Sequence, residues 1–476
     1  MKNKLFAIPM IAAALALGGC SKFLEEKSQS DVVPKTVVDF RELLLGSGYP
    51  GAAQPASAVY LMDDDVDLFI EYGQSSGFPI VGTNSVKTHY LLYTWQPRQA
   101  EENGIGDRIG DVAANSSYYA LYERIKGCNA VLDYVDDAIG TQQEKDRVKA
   151  EALAIRAFHY FTLANLYGDP YNQNPNGPAV PLKMNSTVEA EFPARNTVAE
   201  VYEAIIKDLD EAARLMDPLP VVRKDYHINQ PAIHILLSRV YLHMDKWEEC
   251  AAEANKAFDL GATIPNLTGI TTGPWITYDN AEVEWMYGGT FQMYGQTEYR
   301  PAPEFLAGFS ASDVRRKYGF LEQSSGTVLL NKLLSNGPNT IVQAVRASEA
   351  LLNRAEANVQ LNKLGDALKD LNDLRRRRIT GYADVSISDK ATLLAEIRNE
   401  RRKEFCYEGF RWFDLRRYGR PAITHRYQHD IAEPILQYTL AEKDPAYTLP
   451  FPSGLLLRNP KLTQNPSAAM HERIGQ

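Results

Sequence analysis

Between Tyr118 and Val135 the apolar side chains Leu121, Ile125, Cys128, Leu132 and Val135 fall at steps of three and four, one face of a helix. The same period runs from Glu144 to Tyr167 through Ala152, Ile155, Phe158, His159, Thr162, Leu163 and Leu166, until Gly168-Asp169-Pro170 stops it. Asn196-Thr197 can cap a further helix that continues through Leu215 and ends at Asp217-Pro218. Two later stretches, opening at Leu236 and Leu351, share a Leu-Leu-polar-Arg start and place Ala252 and Ala367 at the same offset. Each reads as helix, short turn, helix, the form of a tetratricopeptide-like hairpin in which small residues let helices approach. Another helix is predicted from near Thr392 to Phe405.

Elsewhere the period is lost. Asp31 to about Ser116 is rich in Gly, Pro, Ser and aromatics, with one helix-like run from Val37 to Leu45. Gly261 to Asn339 is similar, and only Val283, Trp285 and Tyr287 alternate as a short strand does. The expected fold class is therefore all-α dominated: a tetratricopeptide-like helical-repeat scaffold with a large loop-rich face and a few short strands. Helical segments span about 116–260 and 342–418, loop-rich ones about 46–115 and 261–340, and a loop-rich C-terminal segment covers 420–476. Loops of that length in a helical protein usually carry function.

Composition narrows the class. Hydrophobic residues make up 45% of the chain, with 26 Tyr and 17 Phe, enough to fill a large core. The net charge of −9 argues against nucleic acid as a partner, because phosphate needs a basic footprint. Lys2 and Lys4 precede the apolar run Leu5–Leu17, which ends in Leu17-Gly18-Gly19-Cys20. That is a leader (residues 1–19) resembling a bacterial lipoprotein signal, with Cys20 lipidated as the first residue of a mature chain of residues 20–476. Cys128, Cys250 and Cys406 are far apart and lie in helical patterns, so buried free thiols are expected.

The densest chemistry is ERRKEFCYEGFRWFDLRRYG, Glu400 to Gly419. Glu400, Glu404 and Glu408 share one helix face and would repel without partners, and Arg411 stands three residues from both Glu408 and Asp414. Nearby arginines keep carboxylates ionised, the wrong direction for a general acid. A buried carboxylate–guanidinium network sealed by Trp412, Phe413 and Leu415 is expected, with Glu408, Arg411 and Asp414 as members.

This run resembles the signature of the SusD/RagB family of outer-membrane nutrient-binding lipoproteins. Further segments match in order: SKFLEEKSQSDVVPKTVVDFRELLLGSGYP, EALAIRAFHYFTLANLYGDPY, VRASEALLNRAEANVQLNKLGDALKDLNDLRRRR and YTLPFPSGLLLRNPKLTQNP. Asp313-Val314-Arg315 also fits the family pattern. The resemblance covers nearly all of the chain after Cys20. It implies one domain, a lipid-anchored protein on the cell exterior, and a TonB-dependent outer-membrane transporter as partner. Oligosaccharide is the implied ligand, with peptide or another nutrient as the alternative within the family. A secreted helical-repeat glycoside hydrolase and a scaffold lipoprotein without a ligand are readings from other classes.

Other clusters carry less. Asp63, Asp65 and Asp67 have calcium-loop spacing, but Leu68 and Gln74 stand where an EF-hand needs Gly and Glu, and a solvated turn is favoured over the alternative of a looser calcium site. His425 and His429 read as a surface pair, because no glutamate base accompanies them. GIGDRIG, residues 104–110, lacks the flanking strand and Lys-Ser/Thr of a phosphate loop. No catalytic motif stands out, and no cofactor or metal is called for. Aromatic rings remain, and a sugar site needs exposed rings beside amides and charges. Trp95 with Arg98 and Asn103 supplies one such mixture, and Trp275, Tyr278, Tyr294 and Tyr299 supply another. Trp285, on the strand-like segment, is assigned to the core.

Overall fold

The structure is a computed structural model in which residues 34–50, 57–71, 81–99, 118–188, 191–271, 275–287, 298–324, 328–332 and 344–476 are described. Helix α1, Val37–Ser47, starts where Thr36 accepts the Asp39 N–H while the Asp39 carboxylate takes the Thr36 N–H, so two free donors are satisfied together. Helices α2 (Asn84–Tyr93) and α3 (Ala120–Tyr134) follow. The same reciprocal cap, Thr141 with Glu144, opens α4 (Gln142–Tyr167), and Thr197 with Glu200 opens α5 (Val198–Met216). From Ala150 to Tyr167, α4 is buried on every side, so it is the central rod of the scaffold. Among the described residues no helix is long and apolar enough to cross a membrane.

The first hairpin is α6 (Gln230–His243) with α7 (Trp247–Asp259), the second α8 (Ala347–Gln360) with α9 (Leu364–Arg376). Asp245 and Asn362, both left-handed, make the matching turns. The register of the repeat differs from the one read off the sequence. Three residues into each second helix stand Cys250 and Ala367, both fully buried, whereas Ala252 is exposed. Close approach is made by a thiol in one hairpin and a methyl in the other. The two hairpins are joined by the Arg239–Glu349 ion pair (2.5 and 2.7 Å) and by Asn353 donating to Ser238 Oγ at 2.8 Å. Cys128, Cys250 and Cys406 are buried free thiols.

Among the described residues, four antiparallel two-stranded ribbons fasten the irregular segments: β1 (Val66–Leu68) with β3 (Tyr299–Pro301), β2 (Val283–Met286) with β6 (Ala344–Arg346), β4 (Phe320–Glu322) with β5 (Val328–Leu330), and β7 (Ile423–Tyr427) with β8 (Leu436–Leu440). Trp285, on β2, is in the core.

Helices α10 (Lys390–Glu404) and α11 (Arg411–Arg417) carry the charged signature, and Gly409, with φ of 82°, turns the chain between them. Glu404 is gripped by Arg315 (3.0 Å), Arg346 (2.9 Å) and Arg378 (3.0 Å). Arg346 also binds Glu282 (2.7 Å) and Glu408 (2.8 Å), and Lys332 caps Glu408. Burial alone would raise the Glu404 carboxyl; Arg378, Arg346 and Arg315 overcome it and hold it well below the usual carboxylate range. A second centre joins Asp414 to Arg401 (2.9 Å) and Arg417 (2.8 Å), and Arg417 to Glu356 (2.7 Å).

The network exists, but Arg411 has a different partner from the two expected. It forms a bidentate pair with Asp64 (2.6 and 2.7 Å), because the helix geometry turns it away from Glu408 and Asp414 toward the N-terminal segment. Nor is Asp63–Asp65 a solvated turn: Asp63 and Asp65 are buried, and Asp65 accepts from Arg402 at 2.6 Å. The three carboxylates converge within 4.8 Å, and two guanidinium groups lie against them. Burial, then Asp65 and Asp64, push the Asp63 carboxyl well above its ordinary value, which matches two cations serving three acids.

His234, buried on α6, lies between Glu253 (2.6 Å) and Asp217 (3.2 Å). Burial would lower its pKa, but hydrogen bonds to Asp217 and Glu253 win and raise it to about 9. A raised folded-state pKa stabilises the protein fully below the unfolded value near 6.5 and ceases to do so as pH rises through about 9. The melting temperature is therefore expected to fall between pH 7 and pH 10 more steeply in the wild type than in His234→Gln, as followed by calorimetry. Parallel slopes would show that His234 is not charged in the fold.

Candidate functional site

The segment between α5 and α6, Asp217 to Asn229, is charged and lacks an apolar period, so packing does not dictate its path. Polar braces do. Arg223 donates to Glu284 at 2.8 Å and to the Leu260 carbonyl at 3.1 Å, and Asn229 donates to Glu284 at 2.9 Å and the Val222 carbonyl at 3.2 Å. Beneath them Glu151 accepts from Tyr49 at 2.9 Å and stands 2.8 Å from His227. Held at both ends, the loop carries Lys224 (φ 67°) and Tyr226 (φ 64°) in the left-handed region, a conformation that side chains with a Cβ disfavour.

This strain delivers the Tyr226 ring onto Tyr278, with centroids 4.9 Å apart and planes at 24°. Tyr278 comes from the loop ahead of β2, which is fixed on one side by Trp275 and on the other by Glu282. Trp275 is buried against Gly319, where an added Cβ would meet the indole at 2.9 Å. Asn280 donates to the Trp275 carbonyl at 2.6 Å, and Glu282 is locked to Arg346 and Arg378. Both rings stay open to solvent: Tyr226 is 55% exposed and Tyr278 43%. Lys224 and Asp279 lie close enough to attract one another, and Thr277 donates to Asp279 at 2.6 Å. Two stacked rings with outward faces and mixed charges at the rim form a flat amphipathic platform that can pack on the C–H face of a pyranose and bond its hydroxyls.

The other aromatics expected at the site are placed differently. Trp95 is fully buried: its indole N–H donates to the Met62 carbonyl at 2.9 Å and its ring stacks on His425 at 4.2 Å. Tyr299 is fully buried on β3 beside Tyr93, with centroids 5.3 Å apart. With Trp275, these rings plug loops onto the scaffold, and a ring with no open face has nothing to offer a ligand. Arg98 is exposed and pairs with Glu472 at 2.7 Å, tying the C-terminal segment. Tyr294, Asn103, the 104–110 glycine loop and Cys20 lie outside the described residues. His425 and His429 are not a surface pair. His425, on β7, is buried with its ring nitrogens 2.8 and 2.9 Å from the Tyr93 and Asp63 carbonyls.

Tyr226 went unnoticed in the sequence because it sits in a helix–helix connection rather than in a long loop. The signal available was RKDYH: a tyrosine set among charged residues in the connection between two helices.

The profile of a family described as starch-binding associating with outer membrane matches residues 22–242, and that of the SusD family matches residues 329–467. A SusD-like protein of Formosa agariphila is 24% identical over 344 residues, covering 56% of this chain. The chain spans 65% of that relative's length. A SusD superfamily protein of Bacteroides thetaiotaomicron has the same fold, with a TM-score of 0.70 at 23% identity, covering 90% of this chain and 100% of its own. A SusD-like carbohydrate-binding protein of Bacteroides vulgatus aligns with a TM-score of 0.64 at 22% identity, covering 90% of this chain and 97% of its own.

Proposed function

Since the chain belongs to the SusD/RagB family, we propose that it is the lipid-anchored, surface-exposed binding subunit of an outer-membrane uptake system, capturing oligosaccharides for a TonB-dependent transporter. Family members are carbohydrate- or nutrient-binding surface proteins rather than enzymes. The observation that supports a glycan ligand is the Tyr226–Tyr278 platform, solvent-facing and held open by a strained, braced loop. A subunit that hands its cargo on needs modest affinity, about −8 to −4 kcal/mol, micromolar to millimolar.

The test is a panel of oligosaccharides titrated by calorimetry, with the mixtures examined afterwards by chromatography. Binding of one glycan class without new products is expected. Product formation would make the protein an enzyme, and binding of peptides with silence across glycans would change the ligand class.

Anchoring is separately testable. Cys20→Ser should release the protein from the membrane fraction in cells lacking the transporter, because an acyl-chain anchor is lost. Full sedimentation of the variant with membranes would refute lipidation at Cys20.

A further inference from the structure

We propose that a groove between α1, the start of α4 and the α5–α6 connection binds a tetrahedral oxyanion, the phosphate group of a lipid headgroup or free phosphate. The groove has a volume of about 350 Å³, and its polar lining is Arg41, Thr141, Gln143, Glu144 and Arg147. Two guanidinium groups share it with one carboxylate, and that carboxylate is already engaged. Glu144 accepts from the Thr141 N–H and the Thr141 hydroxyl, both at 2.8 Å, as part of the cap of α4. Other acids close in sequence are taken as well: Asp39 caps α1, and Asp146 accepts from Gln142 at 2.8 Å. Glu42, next to Arg41 along α1, leaves the helix on a different side.

Elsewhere in the fold a guanidinium meets a carboxylate with both arms of its fork, as Arg156 does at Asp208 and Arg239 at Glu349. Arg41 does not. Its Nε is buried without a hydrogen-bond partner, and it forms no ion pair among the described residues. Arg147 gives one N–H to the Pro220 carbonyl at 2.9 Å and likewise pairs with no acid among the described residues.

The donors select the ligand. A carboxylate is satisfied by a single guanidinium fork, whereas a tetrahedral oxyanion presents oxygens in several directions and can take N–H pairs from two. The Gln143 amide adds further donors beside them. In a chain of net charge −9, a groove with an excess of cations draws an anion that the rest of the surface repels. Its apolar wall gives the non-polar part of a phosphate-bearing lipid a place to lie: Val38, 66% exposed, with Leu219 and Pro220.

The test is calorimetric titration of the chain from residue 20 onward, carrying Cys20→Ser, with inorganic phosphate at constant ionic strength. Saturable binding is expected, weakened at least about tenfold in Arg41→Gln and in Arg147→Gln, because each variant loses charge-assisted hydrogen bonds. Acetate should bind more weakly than phosphate. Arg41→Gln is the cleaner variant: with no ion pair to lose, it should melt in chloride as the wild type does. Sedimentation with vesicles separates the two sources. Recruitment by phosphatidic acid in phosphatidylcholine, lost in both variants, would assign the phosphate to a lipid, and phosphate binding without recruitment would assign it to the free anion. Absence of saturable phosphate binding would overturn the proposal, as would undiminished binding in both variants or acetate binding as tight as that of phosphate.

Discussion

Arg346→Ala is expected to destabilise the protein by about 3–5 kcal/mol, because the substitution leaves a buried group of carboxylates one cation short. The guanidinium serves Glu282, Glu404 and Glu408 simultaneously and also donates to Ser348 Oγ at 2.9 Å. All three carboxylates are essentially inaccessible, so removal of the shared cation leaves Glu404 with Arg315 and Arg378, Glu282 with Arg378, and Glu408 with Lys332. Arg411→Ala is the internal comparison. Its partner Asp64 is partly open to solvent, and the expected loss is about 1–2 kcal/mol. Denaturant unfolding of the two variants side by side decides the matter: equal and small losses would mean that the buried centre is not what holds the fold. The same centre sets acid sensitivity. Glu404, depressed in the fold, contributes stability above its unfolded value near 4.5 that disappears as pH falls through the folded one. Arg346→Ala should therefore unfold at a higher pH than the wild type.

Tyr278→Ala and Tyr226→Ala are each expected to weaken glycan binding by about 2 kcal/mol, roughly thirtyfold, the usual result of truncating an aromatic anchor. Because each ring is the stacking partner of the other, loss of either also frees the survivor. The double variant should then lose less than the sum of the two. Thermal stability should move little, since both side chains are largely solvated, and this separates a binding defect from a folding one. Calorimetric titration with the glycan that the panel selects is the measurement. Undiminished affinity in both variants would move the binding surface elsewhere, with Tyr294 and Asn103, outside the described residues, as the next positions to substitute.

The scaffold was legible because helical burial repeats every three to four residues and leaves its mark directly in the chain, as from Leu121 to Val135. The charged signature was legible as a network but not in its pairings. Spacing in sequence favours local partners such as Glu408 and Asp414 for Arg411, while a buried guanidinium accepts whichever carboxylate the fold brings, here Asp64. Loop aromatics were the least legible. Glycine- and proline-rich surroundings say that a ring leaves the helical core, yet Trp95, Trp275 and Tyr299 turn inward to pin their loops. Only Tyr278 among the expected rings meets solvent in the described structure. Its partner lay in a connection that composition gave no reason to choose.

The pairing of Asp64 and Asp65 with Arg411 and Arg402 has a temporal consequence. The partners are separated by 347 and 337 residues, so the acids are made first and wait for their cations. At about 5–20 residues per second, synthesis alone imposes a delay of roughly 17–70 seconds. Throughout that interval the nascent chain has an unclosed latch near its beginning. The latch therefore closes only after most of the intervening chain has been made.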